Sequence, residues 1–578
     1  MKSVFFLSIV LCSFGNLKAQ YNPLILPPVL SGTNFNLTVQ SGTTQFWPGI
    51  NTTTYGINGA VLAPTLIWNQ GDSVNISVTN SLPGAGNSTT IHWHGLHVPP
   101  EYDGGPHQVI AQGATWNPKF KILNDAGTFW YHPHGLNKTD RHVSKGVAGF
   151  IIIKDPLEAA LNLPRTYGID DFPLCMQTKE FDVLNQIAIA TFMDTAIMMN
   201  ATVNAYQNMP AQVVRLRLLN GASQRSFLVG FSNNMNFSLI GNDGGLLPAP
   251  VSMNRLLLSN GERAEILVDL GSMLNDTLYL RCYGSELPNG IYGADSVGDA
   301  GVNQIPDYYN NTLNGVDFDL LQIRVVAQTS TPVTSIPTTL IPYTAPVPDA
   351  QTQYRKLVID TIGSMAITPN LAAGPFAFNQ ELFDMDSINE VVILNSKEVW
   401  TIQNKSMIAH PFHIHDIQFS ILDVNGGPVP DYEKGKKDVV LIMPGDSVRF
   451  ITEFKDFAND SIPYMYHCHI LHHEDDGMMG SFLVIDTSVA ASVLNPSFSQ
   501  HYIVYPNPAN QHWQICSNTM RPIGVISLYN LLGQLVYQDT NPQQASSLIV
   551  PATHLPSGMY YLKIDSEQHS LGTTLVRE

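Results

Sequence analysis

The chain has 578 residues, a formal net charge of −18 and only 13% charged residues. We expect several domains, because about 100–200 residues per domain is usual. The negative charge argues against nucleic acid as a partner. The chain contains 43 glycines and 38 prolines, and β-branched and aromatic residues recur in short runs between turn residues. This composition predicts an all-β fold.

Residues 1–20 have the pattern of a secretory signal peptide. Lys2 precedes an apolar run over residues 4–14, and the small residue Ala19 stands before the expected cleavage point. This run is too short to span a bilayer, and no later apolar run reaches about 18 residues. We therefore predict that the protein leaves the cytoplasm and has no transmembrane anchor.

The cysteines have two different interpretations. Export permits disulfides, so Cys175 and Cys282 either pair with each other or remain as two buried free thiols. Cys468 lies between two histidines. That position indicates a metal ligand and not a disulfide partner.

A β-type pattern occurs three times in the body of the chain, at Gly71–Asn80, Val213–Asn220 and Glu398–Asn404. A second strand pair follows each copy, which predicts three consecutive β-sandwich domains of about 130–160 residues. A stretch rich in Thr, Ser and Pro predicts an extended linker before the third sandwich. The predicted ranges are 21–158, 159–330 and 352–490 for the sandwiches, 331–351 for the linker and 500–578 for a C-terminal domain.

Ten of the 18 histidines fall into four short clusters in the first and third predicted sandwiches. The clusters are His92-Trp-His94, His132-Pro-His134, His410-Pro-Phe-His413-Ile-His415, and His467-Cys-His469 followed by His473. The second sandwich contains no histidine, so we interpret it as a spacer that holds the outer two together. Pro133 stands where Cys468 does in the third sandwich, so only the third sandwich has a thiol among its clustered histidines.

The segment His467-Cys468-His469 is predicted to end a strand. Side chains alternate along a strand, so both histidines face one side and Cys468 faces the other. Past this strand, His473 and Met478 lie in a predicted loop. A thiolate, two imidazoles and a weak thioether form the ligand set of a blue-copper electron-transfer site, and His410 supplies the second imidazole.

Four H-x-H units supply eight further imidazoles. Eight are too many for one closed zinc site, which uses four ligands and has no open position. Three coppers that share eight imidazoles keep coordination open for a small molecule such as O2. The ligand types therefore predict a blue copper connected to a three-copper site.

The four clusters, with C-x4-H-x4-M after the thiolate, resemble the multicopper oxidases, and among them the bacterial copper-efflux oxidases, spore-coat laccases and bilirubin oxidases. The resemblance covers about residues 40–490 and includes N-G-A-S-Q-R and N-D-G-G-L-L-P in the second sandwich. It implies three consecutive cupredoxin-like Greek-key β-sandwich domains. It also implies four copper ions, a small-molecule reducing substrate and the reduction of O2 to water.

The resemblance assigns each cluster residue by its position in the family motif. It assigns His92 and His413 to a type-2 copper, His94, His132 and His469 to one type-3 copper, His134, His415 and His467 to the other, and His410, Cys468, His473 and the axial Met478 to the type-1 copper. Cys468 would also pass the electron to its two neighbours.

Two acidic residues match the family's proton-delivery positions, Asp103 in E-Y-D-G-G-P and Glu474 beside His473. Water formation consumes protons, so carboxyl groups near the copper site make chemical sense. The alternatives are that Asp103 only stabilises its Gly-Gly turn and that Glu474 belongs to a solvated loop.

The sequence leaves two classes of electron donor as alternatives, organic compounds and cuprous ion. Ser406 stands where copper-efflux relatives have an acid that helps to bind cuprous ion, and the third sandwich has no Met-rich insertion. The methionines of the second sandwich (Met193, Met198, Met199 and Met209) are predicted to pack in its core. We therefore favour a laccase-like oxidase of phenols or aromatic amines. The alternatives are a cuprous-ion oxidase and a non-catalytic scaffold like the copper-free cell-division relatives.

The C-terminal region carries Tyr505-Pro-Asn-Pro-Ala509, the apolar strand pattern 555–564 and a basic end at Leu575-Val-Arg577. Alternating strands around a Leu-Leu-Gly turn predict a small β-sandwich. The three motifs resemble the sorting domain of type IX secretion. That resemblance implies the secretion machinery as a partner and export through the periplasm to the cell surface or the medium. We expect a monomer.

Overall fold

The computed structural model describes residues 21–84, 86–297, 305, 308–362, 374–486, 501–518, 522–530, 534–541, 543–565 and 570–578. The predicted signal peptide lies outside these residues. The described chain consists mainly of β-strands in eight sheets, which confirms the predicted all-β fold with three large sandwiches and a small C-terminal one. Its helices are short: Thr139–Ser144, Pro156–Ala159, Leu471–Asp475 and the 3-10 turns Pro100–Tyr102, Gly284–Glu286, Tyr308–Asn310 and Asp431–Glu433.

The first sandwich consists of two five-stranded sheets around one hydrophobic core. Strand Ser73–Ser81 shows the typical alternation, with Val74, Ile76 and Val78 buried and polar residues between them. One sheet contains Asn34–Trp47, Ile50–Ile57, Ser73–Ser81, Thr115–Trp116 and Lys119–Lys121, and the other Val29–Ser31, Thr65–Asn69, His92–His94, Gly127–His132 and Gly149–Lys154.

The second sandwich has a six-stranded and a seven-stranded sheet around a separate core. The six-stranded sheet contains Asn22–Pro23, Ala205–Pro210, Phe227–Phe231, Leu256–Leu258, Thr277–Tyr283 and Asp317–Val326, and the seven-stranded sheet Asp171–Lys179, Ala196–Met199, Thr202–Val203, Val213–Asn220, Phe237–Asn242, Gly245–Met253 and Arg263–Asp269. Strand Asn22–Pro23 thus precedes the first sandwich in sequence but pairs with Ala205–Pro210 of the second. The domain boundaries given above stay predictions.

The third sandwich again has two five-stranded sheets and its own core. One contains Gln353–Thr361, Phe376–Phe378, Lys397–Asn404, Ser420–Val424 and Ser447–Glu453, and the other Glu390–Ile393, His410–Ile414, Val439–Ile442, Asn459–Cys468 and Met479–Ile485. No helix or strand lies between Val326 and Gln353, the region of the predicted linker. The second of these sheets contributes candidate ligands from two of its strands, His410–Ile414 and Asn459–Cys468.

The C-terminal region forms a small two-sheet unit around Trp513, Ile526 and Leu562. Its strands are Tyr502–Tyr505, His512–Ser517, Val525–Asn530, Leu535–Asp539, Ser547–Pro551, Gly558–Asp565 and Ser570–Arg577. Cys175 and Cys282, in the second sandwich, are buried free thiols, so the disulfide alternative is not realised. In the described residues we find no helix that is both long and apolar enough to cross a membrane.

The three copies of the sequence repeat end at equivalent buried asparagines, Asn80, Asn220 and Asn404. In each copy, the side-chain oxygen accepts a hydrogen bond from the backbone N–H two residues later. The amide nitrogen donates to two backbone carbonyls, one of which lies in a distant segment. The repeated Asn therefore fixes the loop that leaves each strand, because it satisfies backbone groups that are buried away from water.

Replacing Asn80 by Ala tests this role. The substitution removes the donor to the carbonyls of Asn87 and Ile110 and the acceptor of the Leu82 N–H, and we expect it to lower the free energy of unfolding by about 2 kcal/mol or more. Chemical denaturation measures the loss. Asn34→Ala, at an exposed position, is the control. Equal stability of the two variants would contradict the role.

Candidate functional site

The first sandwich places its histidines on two neighbouring antiparallel strands. Strand His92–His94 pairs with strand Gly127–His132, and His132 lies opposite His92. Histidines two residues apart on one strand point to the same face. His134 follows directly, and its backbone N–H donates to the hydroxyl of Thr90 at 2.7 Å. The four imidazoles therefore come together at one end of the sheet.

The third sandwich repeats this arrangement with one addition. Strand His410–Ile414 pairs with strand Asn459–Cys468, which sets His413 opposite His467 and Phe412 opposite Cys468. Alternation along the second strand directs Cys468 into the core of the third sandwich. The side chains of His467 and His469 point the other way, toward the first sandwich.

The two sets of histidines meet between the sandwiches. The ring of His92 stacks on that of His415, and the ring of His94 stacks on that of His413, each pair with centroids 3.8 Å apart. Their ligand nitrogens form buried groups within 4.8 Å of one another: His92, His94 and His413; His94, His132 and His469; and His134, His415 and His467. The last two trios are those that the sequence resemblance assigned to the paired coppers.

Oxygen atoms fix the orientation of most of these rings. Each Nδ1 below lies within hydrogen-bond distance of an oxygen, which leaves Nε2 directed into the cluster. The pairs are His92 with the Asp103 carbonyl (3.0 Å), His132 with the Pro133 carbonyl (2.8 Å), His413 with the Asp438 carbonyl (2.8 Å), His415 with Asp103 Oδ2 (2.7 Å) and His467 with the Cys468 carbonyl (3.0 Å).

His94 has the opposite orientation. Its Nε2 lies 3.2 Å from Asp438 Oδ1, and its Nδ1 lies 3.4 Å from His132 Nε2 and 3.3 Å from His469 Nε2. Asp438 in turn forms an ion pair with Arg263. Sequence reasoning missed both residues. The only local signal was a charged residue where a strand pattern begins. It is Asp438 in K-K-D-V-V-L-I and Arg263 in R-A-E-I-L-V.

Asp103 contacts one side of the histidine groups. Its carboxylate lies 2.7 Å from His415 Nδ1 and 3.3 Å from His92 Nδ1, and it is 1% exposed. Burial raises the pKa of this carboxyl, but the two imidazoles lower it further, so it lies well below its usual range. Asp103 is therefore held as a carboxylate in direct contact with two rings.

Glu474 contacts another pair of rings. Its Oε1 accepts a hydrogen bond from the Thr139 hydroxyl at 2.6 Å and lies 3.2 Å from His134 Nδ1, while Oε2 lies 3.3 Å from His467 Nδ1. Burial and the neighbouring Asp475 raise the pKa of this carboxyl well above its usual value. The two acids therefore differ: Asp103 is held ionised, whereas Glu474 favours the protonated form.

A separate group lies on the other face of the Cys468 strand. Cys468 Sγ lies 3.5 Å from His410 Nδ1 and 3.6 Å from His473 Nδ1, and all three residues are buried. The Ser406 hydroxyl lies 2.9 Å from His410 Nε2, and the Tyr292 hydroxyl lies 3.4 Å from His473 Nε2. Both imidazoles thus present Nδ1 to the sulfur. Burial raises the pKa of the Cys468 thiol.

The segment after Cys468 differs from its prediction in one respect. His473 was predicted in a loop but belongs to the short helix Leu471–Asp475, because a single turn is too short to show a helical period in sequence. Met478 follows this helix and packs in the same core as Cys468. Its carbonyl accepts a hydrogen bond from the Cys468 backbone N–H at 3.1 Å.

Burial lowers the pKa of most of the clustered histidines, and the neighbouring imidazoles lower it further. The residues with a lowered pKa are His94, His132, His134, His410, His413, His415, His467, His469 and His473. The pKa is about 3 for His410 and about 4 for His415. These side chains are thus neutral near pH 7, the form in which imidazole binds metals.

Three regions of the chain match known protein families. Residues 38–158 and 352–488 each match the multicopper oxidase family. Residues 503–578 match the secretion system C-terminal sorting domain, which confirms the sorting-domain prediction and supports export or a cell-surface location.

Similar proteins cover most of the chain. A multicopper oxidase of Staphylococcus haemolyticus is 32% identical over 480 residues, which are 80% of this chain and 92% of that protein. The cell division protein FtsP of Escherichia coli is 30% identical over 475 residues, 80% of this chain and 93% of its own length.

The structure of the laccase-like multicopper oxidase CueO from Ochrobactrum sp. is also similar. It has a TM-score of 0.70 and 34% identity, and the match covers 80% of this chain and all of that one. This likeness confirms the predicted cupredoxin-like sandwiches. The chain therefore belongs to the multicopper oxidase family, and it is a copper-dependent oxidoreductase that uses O2 as its electron acceptor.

Proposed function

We propose that this protein is a laccase-like oxidase that removes one electron at a time from a small organic donor, a phenol or an aromatic amine, and reduces O2 to water. One observation carries the proposal: at the end of strand Asn459–Cys468, Cys468 belongs to one buried ligand group, while His467 and the next residue after the strand, His469, belong to two others on the opposite face. An electron-accepting site and an O2 site are thus joined by covalent bonds.

The side chains of these groups fit copper. Within the four histidine clusters, six buried imidazole nitrogens have no hydrogen-bond partner, which costs free energy unless a cation is bound. They are Nε2 of His92, His134, His413, His415 and His467, and Nδ1 of His469. Imidazole and thiolate are ligands that copper prefers, and a bound cation also favours the thiolate form of the buried Cys468.

We assign the ligands of four coppers as the family resemblance does. The type-1 copper takes His410, Cys468, His473 and Met478; the type-2 copper takes His92 and His413; and the type-3 pair takes His94, His132 and His469 on one ion and His134, His415 and His467 on the other. The convergence of these groups supports this assignment. When bound, the coppers supply one-electron redox chemistry and open coordination for O2.

The protein itself links the two ligand groups and provides groups that deliver protons. Cys468 is bonded through the backbone to both His467 and His469, so the donor side and the O2 side need no diffusing carrier. Reduction of one O2 takes four electrons from four donor molecules and four protons, and it yields two waters. Glu474, which favours its protonated form, is positioned to donate a proton between His134 and His467. The Asp103 carboxylate, in contact with His415 and His92, is the second acidic group positioned to assist proton delivery.

Three observations favour an organic donor over cuprous ion. Ser406, and not an acid, lies beside His410. The ring of Phe376 packs 4.6 Å from His410 and 4.8 Å from His473, which makes this side of the site aromatic. Met198 and Met209 are fully buried in the second sandwich, so they do not form a surface site for cuprous ion. The similar Ochrobactrum enzyme has oxidase activity towards lignin model compounds and lignosulfonate.

We further propose that residues 1–20 direct export, that the chain crosses the periplasm, and that the secretion machinery recognises the C-terminal sorting domain. The oxidase acts as a monomer in the medium or at the cell surface. The match of residues 503–578 supports this route.

A donor comparison with one copper-loaded preparation tests the proposed substrate. We expect saturable oxidation of a methoxyphenol, with O2 consumed at one quarter of the molar rate of donor oxidation, and little turnover of cuprous ion. Oxygen uptake and product absorbance measure both. Efficient turnover of cuprous ion with negligible phenol oxidation would show a metal oxidase. A blue protein that consumes no O2 with any donor would show a scaffold.

Replacing Cys468 by Ser tests the donor side. We expect loss of the blue absorption and a fall of donor oxidation to background, because a hydroxyl does not replace the thiolate ligand. The histidine groups should retain their copper, as measured by metal analysis. Cys282→Ser, at a buried thiol in the second sandwich, is the control and should remain blue. Full activity of the Cys468 variant would exclude the proposed path.

The copper-free protein should lose stability as the pH falls. The nine clustered histidines with a lowered pKa are neutral in the folded protein. In the unfolded chain, where the pKa of histidine is about 6.5, they take up protons as the pH falls below that value. Unfolding is therefore favoured as the pH drops through 6.5, by up to about 1.4 kcal/mol per pH unit for each histidine. Carboxyls with a raised pKa have the opposite effect, but the nine histidines outnumber them; these carboxyls are Asp170, Glu390, Asp416, Glu433, Glu474 and Asp475. Denaturation of copper-free and copper-loaded protein between pH 7.5 and 5.5 measures this, and a pH-independent copper-free protein would contradict it.

A further inference from the structure

One turn of the second sandwich lies against the histidine groups, although this sandwich contains no histidine. The turn joins strand Leu256–Leu258 to strand Arg263–Asp269. Within it, Gly261 packs against the ring of His469. At its end, Arg263 forms an ion pair with Asp438 of the third sandwich.

Every donor of the Arg263 guanidinium has a partner. Its terminal nitrogens donate to the two carboxylate oxygens of Asp438, each at 2.6 Å. The remaining N–H groups donate to the carbonyls of Thr128 (3.3 Å), Gly261 (3.1 Å) and Asp243 (3.0 Å). Arginine has five N–H donors in a fixed plane, so this set of partners determines both its position and that of the Asp438 carboxylate.

Asp438 in turn fixes the ring orientation of two histidines from different sandwiches. Its Oδ1 accepts the Nε2–H of His94 at 3.2 Å, and its backbone carbonyl accepts the Nδ1–H of His413 at 2.8 Å. Because Nε2 of His94 is used in this way, its Nδ1 is the nitrogen left for a metal. Gly95 follows His94, and a Cβ at Gly95 would overlap both Asp438 and Arg263.

Gly261 controls the space beside His469. A Cβ at Gly261 would lie 2.8 Å from the nearest atom of the His469 ring, closer than real side chains approach. Gly261 also has a φ of +83°, which favours glycine. The ring can occupy its observed position only because this residue has no side chain.

The internal repeat shows that this contact is specific to the second sandwich. Equivalent turns contain Gly113 and Gly445, with φ values of +78° and +80°. The N–H of each of the three glycines donates to the carbonyl of the repeated asparagine, at 2.8–3.0 Å. A Cβ at Gly113 or Gly445 would meet nothing within 4 Å, and the residues two positions later are Thr and Ser in place of Arg263.

We propose that the turn Asn260–Arg263 completes the three-copper site: Arg263, through Asp438, positions His94 to bind through Nδ1, and Gly261 leaves room for His469. Arg263 and Gly261 are positioning residues, and neither binds copper itself. The second sandwich then contributes positioning residues to the site and is more than a spacer. This inference rests on the proposed copper assignment.

The substitution Arg263→Gln, which removes a charge, tests the proposed role of Arg263 in positioning His94. We expect the variant to lose copper from the histidine groups and to change or lose the type-2 electron paramagnetic resonance signal, while the blue absorption of the type-1 site remains. The matched control is Arg225→Gln, which removes another buried arginine of the second sandwich that binds a carboxylate, Asp194, with two nitrogens. The control should retain both signals.

The substitution Gly261→Ala tests the proposed role of Gly261 in leaving room for His469, and it changes no charge. We expect the same selective loss of copper and of the type-2 signal, because the added Cβ displaces the His469 ring. Gly113→Ala and Gly445→Ala impose the same backbone strain in open space, so both controls should retain the type-2 signal. This comparison remains decisive if Arg263→Gln fails to fold.

The outcomes distinguish a failure of the proposed role of the turn from a failure of the copper assignment. If the unaltered protein binds copper and both test variants retain all of it with an unchanged type-2 signal, the turn has no role in the site. Equal losses in Gly261→Ala and its two glycine controls would also overturn the inference, because backbone strain would then explain them. If the unaltered protein binds no copper at its histidines, the copper assignment itself fails.

Discussion

The alternation of side chains along one strand is the constraint on which the whole site depends. At its end, Cys468 faces the core of the third sandwich and its two neighbours face the first sandwich. Two ligand groups with different chemistry are thereby held a fixed distance apart by the backbone. Shifting the pairing of this strand by one residue would exchange the faces and dismantle both groups at once. The register His413 opposite His467 therefore determines the fold and the function together.

The O2 side depends on a second constraint, which is the burial of many imidazoles in one place. Neutral rings packed this closely leave nitrogen lone pairs without partners, and that cost falls only when cations are bound. Backbone carbonyls and the carboxylates of Asp103 and Asp438 decide which nitrogen most of the rings present. Asp438 is set by Arg263, so all three sandwiches participate in one site. The proposed copper binding would therefore be coupled to the packing between the sandwiches.

The sequence predicted the parts of the site that are local in the chain. Histidines two residues apart and a cysteine between two of them are visible without a structure, because metal ligation needs these residue types at strand spacing. The contact of His94 with Asp438 spans 344 positions, and that of Arg263 with Asp438 spans 175, so no local pattern shows them. The role of Gly261 is visible only after the three repeats are compared in space, where one of three equivalent turns meets a ring.

The central claim is that the two groups form one four-electron unit. Its most direct test is a single turnover: the copper-loaded protein is fully reduced without O2, separated from the reductant and mixed with an excess of O2. We expect that one O2 is consumed for each protein molecule, that the blue absorption returns, and that no hydrogen peroxide is released. Peroxide in an amount equal to the O2 consumed would contradict it, because the two groups would then supply only two electrons to each O2.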